Sequence, residues 1–299
     1  MNTGLLFALL SAVVFAVGIV MVRRSAGAAG EAFTVTAMSI FAGIPLFVIV
    51  LTFNDGWASF RLLTVNTAIM LVSAGIIHFV IGRLMAYDAF RLIGANRATP
   101  ITQLSPVYTV LLSWLFISEN LTAYVIFGAA LMMGGVVLIS QEKSAPKEGE
   151  RVPRREEIKG ILLSLGASVC WGITPVLVKP AVGVVGSAVM GNFITYTSAG
   201  IVMGLLTLNH NNREHFKRLS FRKNVIPMAI AGLVTAAGQL LYFVALLKSP
   251  ANIVAPLVSI EVLFIYIISY FVSRRHEVFT YKIALGMAAM IAGTFLLFR

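Results

Sequence analysis

The sequence has few charged residues and a single cysteine. Only 12% of its 299 residues are Asp, Glu, Lys or Arg, about half the share in ordinary soluble domains. A soluble chain of this composition could not cover its surface with polar groups. The lone Cys170 excludes an intramolecular disulfide and a cysteine-based metal cluster. Sequence motifs of the HExxH, Walker A, GxSxG and CxxC kinds are absent, so we predict neither an enzyme nor a cofactor or metal site.

Most of the sequence consists of apolar segments close to twenty residues long. Hydrophobic residues make up 59% of it, and its mean hydropathy is +0.91. About 20 apolar residues in a helix cross the ~30 Å hydrocarbon core of a bilayer, where unpaired strands are not tolerated. We therefore predict an all-α integral membrane protein with ten transmembrane helices. The predicted spans are residues 3–22, 32–53, 65–87, 98–117, 122–140, 159–178, 188–208, 225–247, 252–272 and 281–298.

The two halves of the sequence repeat one pattern. Offsets of 156 and 158 residues pair Phe15 with Trp171, Gly82 with Gly238, Ala89 with Ala245, Asn96 with Asn252, Pro100 with Pro256, Glu119 with Glu277, Gly128 with Gly286 and Gly135 with Gly293. Each half has five predicted spans. Because this number is odd, the second half crosses the membrane in the opposite orientation to the first. We predict two inverted five-helix repeats, residues 1–140 and 159–299, joined by a cytoplasmic linker at 141–158. Inverted repeats are a transporter architecture with a substrate site near the bilayer midplane.

Basic residues are distributed unevenly between the two sides of the predicted bundle. The net charge is +11, but the cations lie in short clusters between apolar segments, which argues against nucleic-acid binding. The connections after helices 1, 3, 5, 7 and 9, counted with Lys159 and Lys282 at the adjoining helix ends, carry 18 Lys and Arg, and the termini and remaining connections carry 4. Because the basic side faces the cytoplasm, we expect both termini outside and the connections at 141–158 and 209–224 inside. The predicted location is the inner cell membrane, as a multi-pass protein.

Short motifs in both halves resemble a known transporter family. Residues 104–109 read LSPVYT, 118–119 read SE and 134–139 read GGVVLI, while 169–172 read VCWG and 293–297 read GTFLL. Together they resemble the EamA-type family of the drug/metabolite transporter superfamily, over nearly the whole chain. The resemblance implies a ten-helix carrier driven by a substrate or ion gradient, without ATPase parts. Two departures, Phe15-Ala16 for Trp-Gly and Val262 for the Pro after Glu261, indicate an asymmetric cavity.

Charged residues deep in a span are the first functional candidates, because burying them in lipid is costly. Arg83 lies in the middle of helix 3, where its repeat partner is the neutral Gln239. It is predicted either to bind a substrate anion or take part in proton coupling, or to form a structural ion pair. Glu261 is the matching acid, as ion partner of Arg83 or as carrier of a coupling proton. His78 is a further candidate for substrate binding, with a packed, hydrogen-bonded histidine as the alternative. It is five residues before Arg83, roughly 140° around an α-helix, so the two do not share one narrow face.

Uncharged polar and aromatic residues extend the candidate substrate site. Trp171 is a candidate cavity aromatic, with a structural role as the alternative. Asn192 and Tyr196, at i and i+4, share one helix face, and Gln239 and Tyr242, at i and i+3, share another. They are predicted to line a cavity or to bond neighbouring helices. Gln103 completes the set.

These patterns favour a secondary active transporter over an intramembrane enzyme or a structural subunit. The leading hypothesis is an exporter of small polar metabolites, such as amino acids or related organic compounds, working by alternating access. The alternative is a transporter or flippase of a phosphate-bearing or lipid-linked anionic metabolite, which Arg83 and the basic cytoplasmic face favour. The expected partners are the small-molecule substrate, the lipid bilayer and, in one version, a coupling proton. A monomer and a homodimer both remain open.

Overall fold

A computed structural model describes residues 3–26, 32–53, 56–142, 153–209, 224–272 and 281–298. The described part of the chain is almost entirely helical. Its α-helices are α1 (Thr3–Ala26), α2 (Ala32–Phe53), α3 (Val65–Gly75), α4 (Arg83–Ile93), α5 (Ala95–Thr102), α6 (Ser105–Ile117), α7 (Ala123–Glu142), α8 (Arg154–Val185), α9 (Ala188–Thr207), α10 (Ile226–Lys248), α11 (Ala251–Val258), α12 (Glu261–Val272) and α13 (Tyr281–Leu297). A 3₁₀-helix covers Gly56–Leu62 and a π-helical segment covers Ile76–Gly82.

Seven helical stretches of the described residues are long and apolar enough to cross a membrane. They are Thr3–Met21, Phe33–Phe53, Val65–Ile93, Arg154–Val185, Ala188–Thr207, Ile226–Lys248 and Ala251–Ile268. Three shorter apolar helices are Ser105–Ile117, Ala123–Leu138 and Tyr281–Leu297. The chain is thus a multi-pass helical membrane protein. The α8 helix, with 32 residues, starts before its predicted span and ends after it.

The third helical stretch is longer than predicted and contains a π-helical segment. Helices α3 and α4 are joined without interruption through Ile76–Gly82, and the stretch ends at Ile93. Gly94 stops it with a φ of +77° and a ψ of 149°, a conformation that only glycine adopts without strain. π-Helical turns are rare and are often found at functional sites.

Two helical stretches are interrupted at equivalent places in the two halves. Residues 103–104 separate α5 from α6, and residues 259–260 separate α11 from α12, again 156 positions apart. In the first break Pro106 has no N–H to continue the helix. In the second break the N–H of Val262 bonds the Ser259 carbonyl, a tighter turn. Each break lies three residues after one of the repeated prolines, Pro100 and Pro256, where the sequence indicates a helix start or a kink; the apolar segments alone did not predict the breaks.

Helices α7 and α13 pack closely along glycines and run antiparallel. Gly128 of α7 lies against Gly293, and Gly135, two turns later, lies against Gly286. The order of contacts is reversed along the two chains, which fixes the antiparallel direction. Small residues allow such close approach of helix backbones in membranes.

Two further helix pairs repeat each other's contacts across the halves. Helix α1 packs along α10, where Gly4 meets Ser249 and Gly238 meets Phe15. Helix α4 packs along α8, where Gly160 meets Ile93 and Gly82 meets Trp171. Each contact of the first pair corresponds to a contact of the second at the 156-residue offset. The helix pairs therefore share one packing arrangement, although their side chains differ.

Candidate functional site

Arg83 begins α4 at the end of the π-helical segment and extends into the bundle. Its Nη1 atom donates a 2.6 Å hydrogen bond to Ser39 Oγ of α2, and the Tyr196 hydroxyl of α9 lies beside the same guanidinium. The guanidinium carbon lies 4.9 Å from the centre of the Phe79 ring. Ser39, Phe79 and Tyr196 are buried, whereas Arg83 keeps partial exposure. These contacts hold the cation between helices instead of against lipid.

Within the described ranges, the side chains that contact Arg83 are uncharged. A cation over an aromatic ring gains only about 0.5–2 kcal/mol, while an Arg at a helix centre costs about 2.5–3.5 kcal/mol on insertion scales. Among the described residues, no Asp or Glu forms an ion pair with Arg83. The predicted pair with Glu261 is not formed in this structure. An always-protonated guanidinium thus lies in the protein interior without a carboxylate partner in the described part of the chain.

The π-helical segment connects His78 to helix α8. His78 Nδ1 lies 3.3 Å from Thr174 Oγ1, and the Thr174 hydroxyl donates to the Cys170 carbonyl. The hydroxyl therefore accepts from Nδ1–H, which leaves Nε2 of the neutral ring as an acceptor. Trp171 Nε1 donates to the His78 carbonyl at 3.2 Å. This side-chain bond satisfies a main-chain acceptor within the irregular segment.

The structure places the His78 and Arg83 side chains against different helices. In the π-helical segment hydrogen bonds join residues five apart, so the two backbones are closer to one face than in a regular α-helix. The His78 ring nevertheless contacts Thr174 of α8, and the Arg83 guanidinium contacts Ser39 of α2. The two side chains thus have separate partners, and only the π turn itself was not expected from the sequence.

The two helix breaks meet each other in the bundle. Gln103, in the first break, donates through Nε2 to Glu261 Oε1 at 3.4 Å, and Glu261 is the first residue after the second break. Gln103 and Glu261 are partly exposed. These two predicted site residues are thus brought together at the interrupted helices, while the buried Tyr242 of α10 has its ring 6.4 Å from that of Phe15.

Asn192 and Gln239 are buried away from the contacts described above. Asn192 Nδ2 donates to the Ala188 carbonyl one turn earlier in its own helix. Asn192 Oδ1 and Gln239 Nε2 are buried atoms that have no hydrogen-bond partner among the described residues. In the described part of the chain neither residue bonds to Arg83 or Glu261, although Tyr196, one turn after Asn192, packs on the Phe79 ring that lies beneath Arg83.

A charged cluster, here called the Glu119 clamp, joins the two halves at one end of the bundle. Glu119 accepts hydrogen bonds from the N–H groups of Ala251 and Asn252 at 2.7 and 2.8 Å, which caps the start of α11. Lys179 Nζ is 3.8 Å from Glu119 Oε1 and donates to the carbonyls of Leu246 and Ser249 at the end of α10. The clamp therefore connects Glu119 of the first half to helices α8, α10 and α11 of the second half.

Ser39 and the Glu119 clamp are the functional candidates that the sequence reasoning missed. Thr34, Thr36 and Ser39 form a run of hydroxyl residues in an apolar helix, and this run was a usable signal for a polar face. Glu119 was recognised only through its repeat partner Glu277 and the SE motif at 118–119. Its capping role depends on a turn at 118–122 being placed beside the start of α11, which no local pattern predicts.

Comparison with known proteins agrees with this architecture. The model of the EamA-like transporter family matches the chain twice, over residues 2–141 and 158–299. A crystal structure of a protein superposes with a TM-score of 0.77, covering 99% of this chain and 98% of the other at 14% identity, which shows a shared fold.

A curated relative matches over a shorter region. The uncharacterized transporter sll1319 of Synechocystis sp. (strain ATCC 27184 / PCC 6803 / Kazusa) is 38% identical over 69 residues, which is 23% of this chain and 21% of that protein. The match thus spans about a fifth of the relative's length. The two family matches together cover nearly all 299 residues. The chain is therefore a member of the EamA-like transporter family.

Proposed function

We propose that the protein is a secondary active exporter of small polar metabolites, such as amino acids or related organic compounds. The observation that carries the proposal is the meeting of two interrupted helices at Gln103 and Glu261. Interrupted helices at the interface between repeats form the substrate sites of many secondary transporters. The partly exposed polar side chains of Arg83, His78 and Trp171 supply further contacts for a polar cargo.

The proposal includes ten spans arranged as two inverted repeats. The seven long apolar stretches and the three shorter apolar helices together give ten segments. The antiparallel packing of α7 with α13 supports inversion, because these two helices occupy equivalent places in the repeats. The contacts that recur at the 156-residue offset, such as Gly82 with Trp171 and Gly238 with Phe15, support a twofold axis in the membrane plane.

Alternating access follows from this symmetry. A carrier with inverted repeats exposes its central site first to one side and then to the other as the halves move against each other. The Glu119 clamp bonds the halves at one end, so we propose that it holds that end closed and separates when the end opens. The proposed outer side is the one that carries the clamp.

A second candidate is a carrier or flippase of a phosphate-bearing or lipid-linked anion. The observation that favours it is Arg83, a permanent cation among uncharged neighbours. Transport of a neutral polar compound does not require a permanent cation at position 83. Cargo size separates the candidates, since a flippase must accept an acyl chain and an exporter of soluble metabolites need not.

Transport by the purified full-length protein in liposomes tests the function. We expect uptake or release of at least one compound from a panel of amino acids, organic acids, sugar phosphates and amines, above that of protein-free liposomes. If a proton couples transport, imposing a pH gradient increases the initial rate severalfold, and collapsing the gradient with an ionophore removes the increase. Flux equal to that of protein-free liposomes for the whole panel, with and without the gradient, contradicts the proposal.

Membrane topology provides an independent prediction. In a Cys170→Ser background we expect Asn120→Cys to react with a membrane-impermeant maleimide from outside intact cells. Lys147→Cys, in the linker, is expected to react only after the membrane is opened. The 18-to-4 distribution of basic residues is the reason. Labelling of the linker cysteine in intact cells overturns the proposed orientation.

A further inference from the structure

We infer that the cargo carries an oxyanion, a carboxylate or a phosphate, and that Arg83 binds it. The Ser39 hydroxyl, which accepts from Arg83 and donates to the Thr36 carbonyl, and Tyr196 position the guanidinium. The inference rests on the proposed transport function and specifies the class of its substrate. It assigns the anion to the side of the cavity formed by α2, α4 and α9. The group at Gln103 and Glu261 contacts another part of the same molecule.

Charge compensation is the first step of the argument. Deprotonation does not remove the charge of Arg83, and its contacts are a serine hydroxyl, a phenol and an aromatic ring. Hydrocarbon around a bundle cannot compensate a cation. Arg83 is partly exposed although its partners are buried, and the inference places this exposed part at the proposed cavity, because lipid cannot compensate its charge. An anion that enters this cavity gains the compensating interaction.

Hydrogen-bonding capacity is the second step. A guanidinium has five N–H donors in a planar fork, of which Ser39 and Tyr196 take at most two. At least three donors are then available to oxygen atoms. Carboxylates and phosphates match this fork with two parallel bonds, which are shorter and stronger than bonds between neutral groups. A neutral amide or hydroxyl of a cargo uses the fork less completely.

Orientation of the guanidinium is the third step. The Phe79 ring lies under it at 4.9 Å, and Phe79 is held by Tyr196, whose ring centre is 4.5 Å away. On its other side Tyr196 packs edge-on against Phe47 at 4.8 Å. Gly43 makes room for the Tyr196 ring, since an added Cβ atom would collide with it. A packed aromatic support of this kind keeps the fork in position before the anion arrives.

The repeat gives a reason to assign the anion to one half only. The residue that corresponds to Arg83 in the second half is Gln239, which is neutral and buried. The second half supplies the acid Glu261 instead, and the first half has Ser105 at that position. A cation in one repeat and an acid in the other give the cavity two unlike ends. Such a cavity discriminates the orientation of a cargo.

Binding of small anions to the purified protein in nanodiscs tests the inference. The probes are inorganic phosphate and succinate, with glycerol as the uncharged comparison, and the readouts are thermal stabilisation and calorimetric affinity. We expect the wild-type protein to be stabilised by at least one anion and not by glycerol. Arg83→Gln is expected to lower the affinity for that anion at least ~10-fold, because the hydrogen bonds of a charged group to the anion contribute that much binding free energy. Phosphate binding without succinate binding identifies a phosphate cargo, and the reverse identifies a carboxylate.

Three further variants make the result specific. Arg83→Lys keeps the charge but loses the fork, so an intermediate affinity is expected. Arg91→Gln is the matched control on the same helix, because Arg91 is 80% exposed and pairs with Asp88 at the surface; its anion affinity should equal that of the wild type. If Arg83→Gln does not fold, Ser39→Ala is the substitute, because it keeps the Arg83 cation. Ser39→Ala is expected to lower the affinity for the anion severalfold.

Two outcomes overturn the inference. One is wild-type anion affinity in a folded Arg83→Gln protein, or in Ser39→Ala where Arg83→Gln does not fold. The other is a wild-type protein that no anion stabilises, although it transports neutral or cationic compounds in liposomes. In that second case the transport function stands and only the substrate class is wrong. Absence of any flux by the wild-type protein counts instead against the proposed function.

Discussion

Glu119→Gln is expected to lower the stability of the protein by about 3 kcal/mol. The carboxylate accepts two backbone N–H bonds and lies 3.8 Å from Lys179. A glutamine has one acceptor oxygen and directs an NH₂ group at the second N–H. Hydrogen bonds to charged groups contribute about 1.5–3 kcal/mol each, and the Glu119 side chain is only 8% exposed, so water cannot readily replace them. Thermal and denaturant unfolding of the purified protein measures the loss.

The partner residue distinguishes the clamp from an ordinary ion pair. Lys179 is 25% exposed and donates to two carbonyls at the end of α10. We expect Lys179→Met to cost less than Glu119→Gln, because the carboxylate keeps its two backbone donors. In a double-mutant cycle the two changes should couple by about 0.5–3 kcal/mol, as neighbours in one network do.

An ion pair elsewhere in the molecule provides the control. Arg97 and Glu157 are 3.4 Å apart, with side chains 37% and 44% exposed. Exposed pairs contribute about 0–1 kcal/mol, so Glu157→Gln should change the unfolding free energy by no more than that. Equal effects of Glu119→Gln and Glu157→Gln contradict the assignment of Glu119 as a buried helix cap.

The helical membrane fold could be predicted because lipid leaves few options. Apolar segments of about twenty residues must form helices in a bilayer, and this prediction is confirmed by the family match and the long apolar helices. The internal irregularities could not be predicted in the same way. A helix that is apolar on all sides has no periodicity to disturb, so the π segment at Ile76–Gly82 and the breaks at 103–104 and 259–260 left no trace in the hydropathy.

The candidate site was predictable in its charged members and not in their partners. Arg83 and Glu261 were identified because placing a charged side chain in lipid costs free energy whichever way the side chain points. Their partners Ser39 and Gln103 are 44 and 158 positions away in the chain. The residue that packs against each depends on how helices α2, α4, α5 and α12 cross. That arrangement is a property of the whole bundle and not of any local segment.

The site also shows how irregular helices create binding capacity in a lipid environment. A regular helix bonds nearly all of its own backbone groups, so it offers a ligand little beyond its side chains. At the π turn the His78 carbonyl accepts a bond from the Trp171 side chain of α8. His78, Arg83, Gln103 and Glu261 of the proposed cavity lie at or beside the irregular places.

Gly135→Leu is expected to have the largest effect on helix assembly, by disrupting the contact between α7 and α13. An added Cβ atom at Gly135 would lie 2.5 Å from both the Gly286 carbonyl oxygen and Met290 Cγ. The carbonyl belongs to a helix backbone and cannot move aside as a side chain can. Overpacking costs about 1–3 kcal/mol in well-packed interiors, and a full leucine against backbone should reach or exceed the upper value. We expect loss of the monodisperse peak in size-exclusion chromatography and of transport.

The adjacent Gly134 is the matched control for this prediction. A Cβ atom added to Gly134 meets no atom of the described residues within 4 Å, and the residue is exposed on the lipid side of the same helix. Gly134→Leu gains the same helix propensity as Gly135→Leu, about 0.8–1 kcal/mol relative to glycine, so the difference between the variants isolates the contact with α13. Gly134→Leu should therefore elute, unfold and transport like the wild type. Similar behaviour of the two variants contradicts the close packing of α7 on α13, and with it the main structural support for inverted repeats.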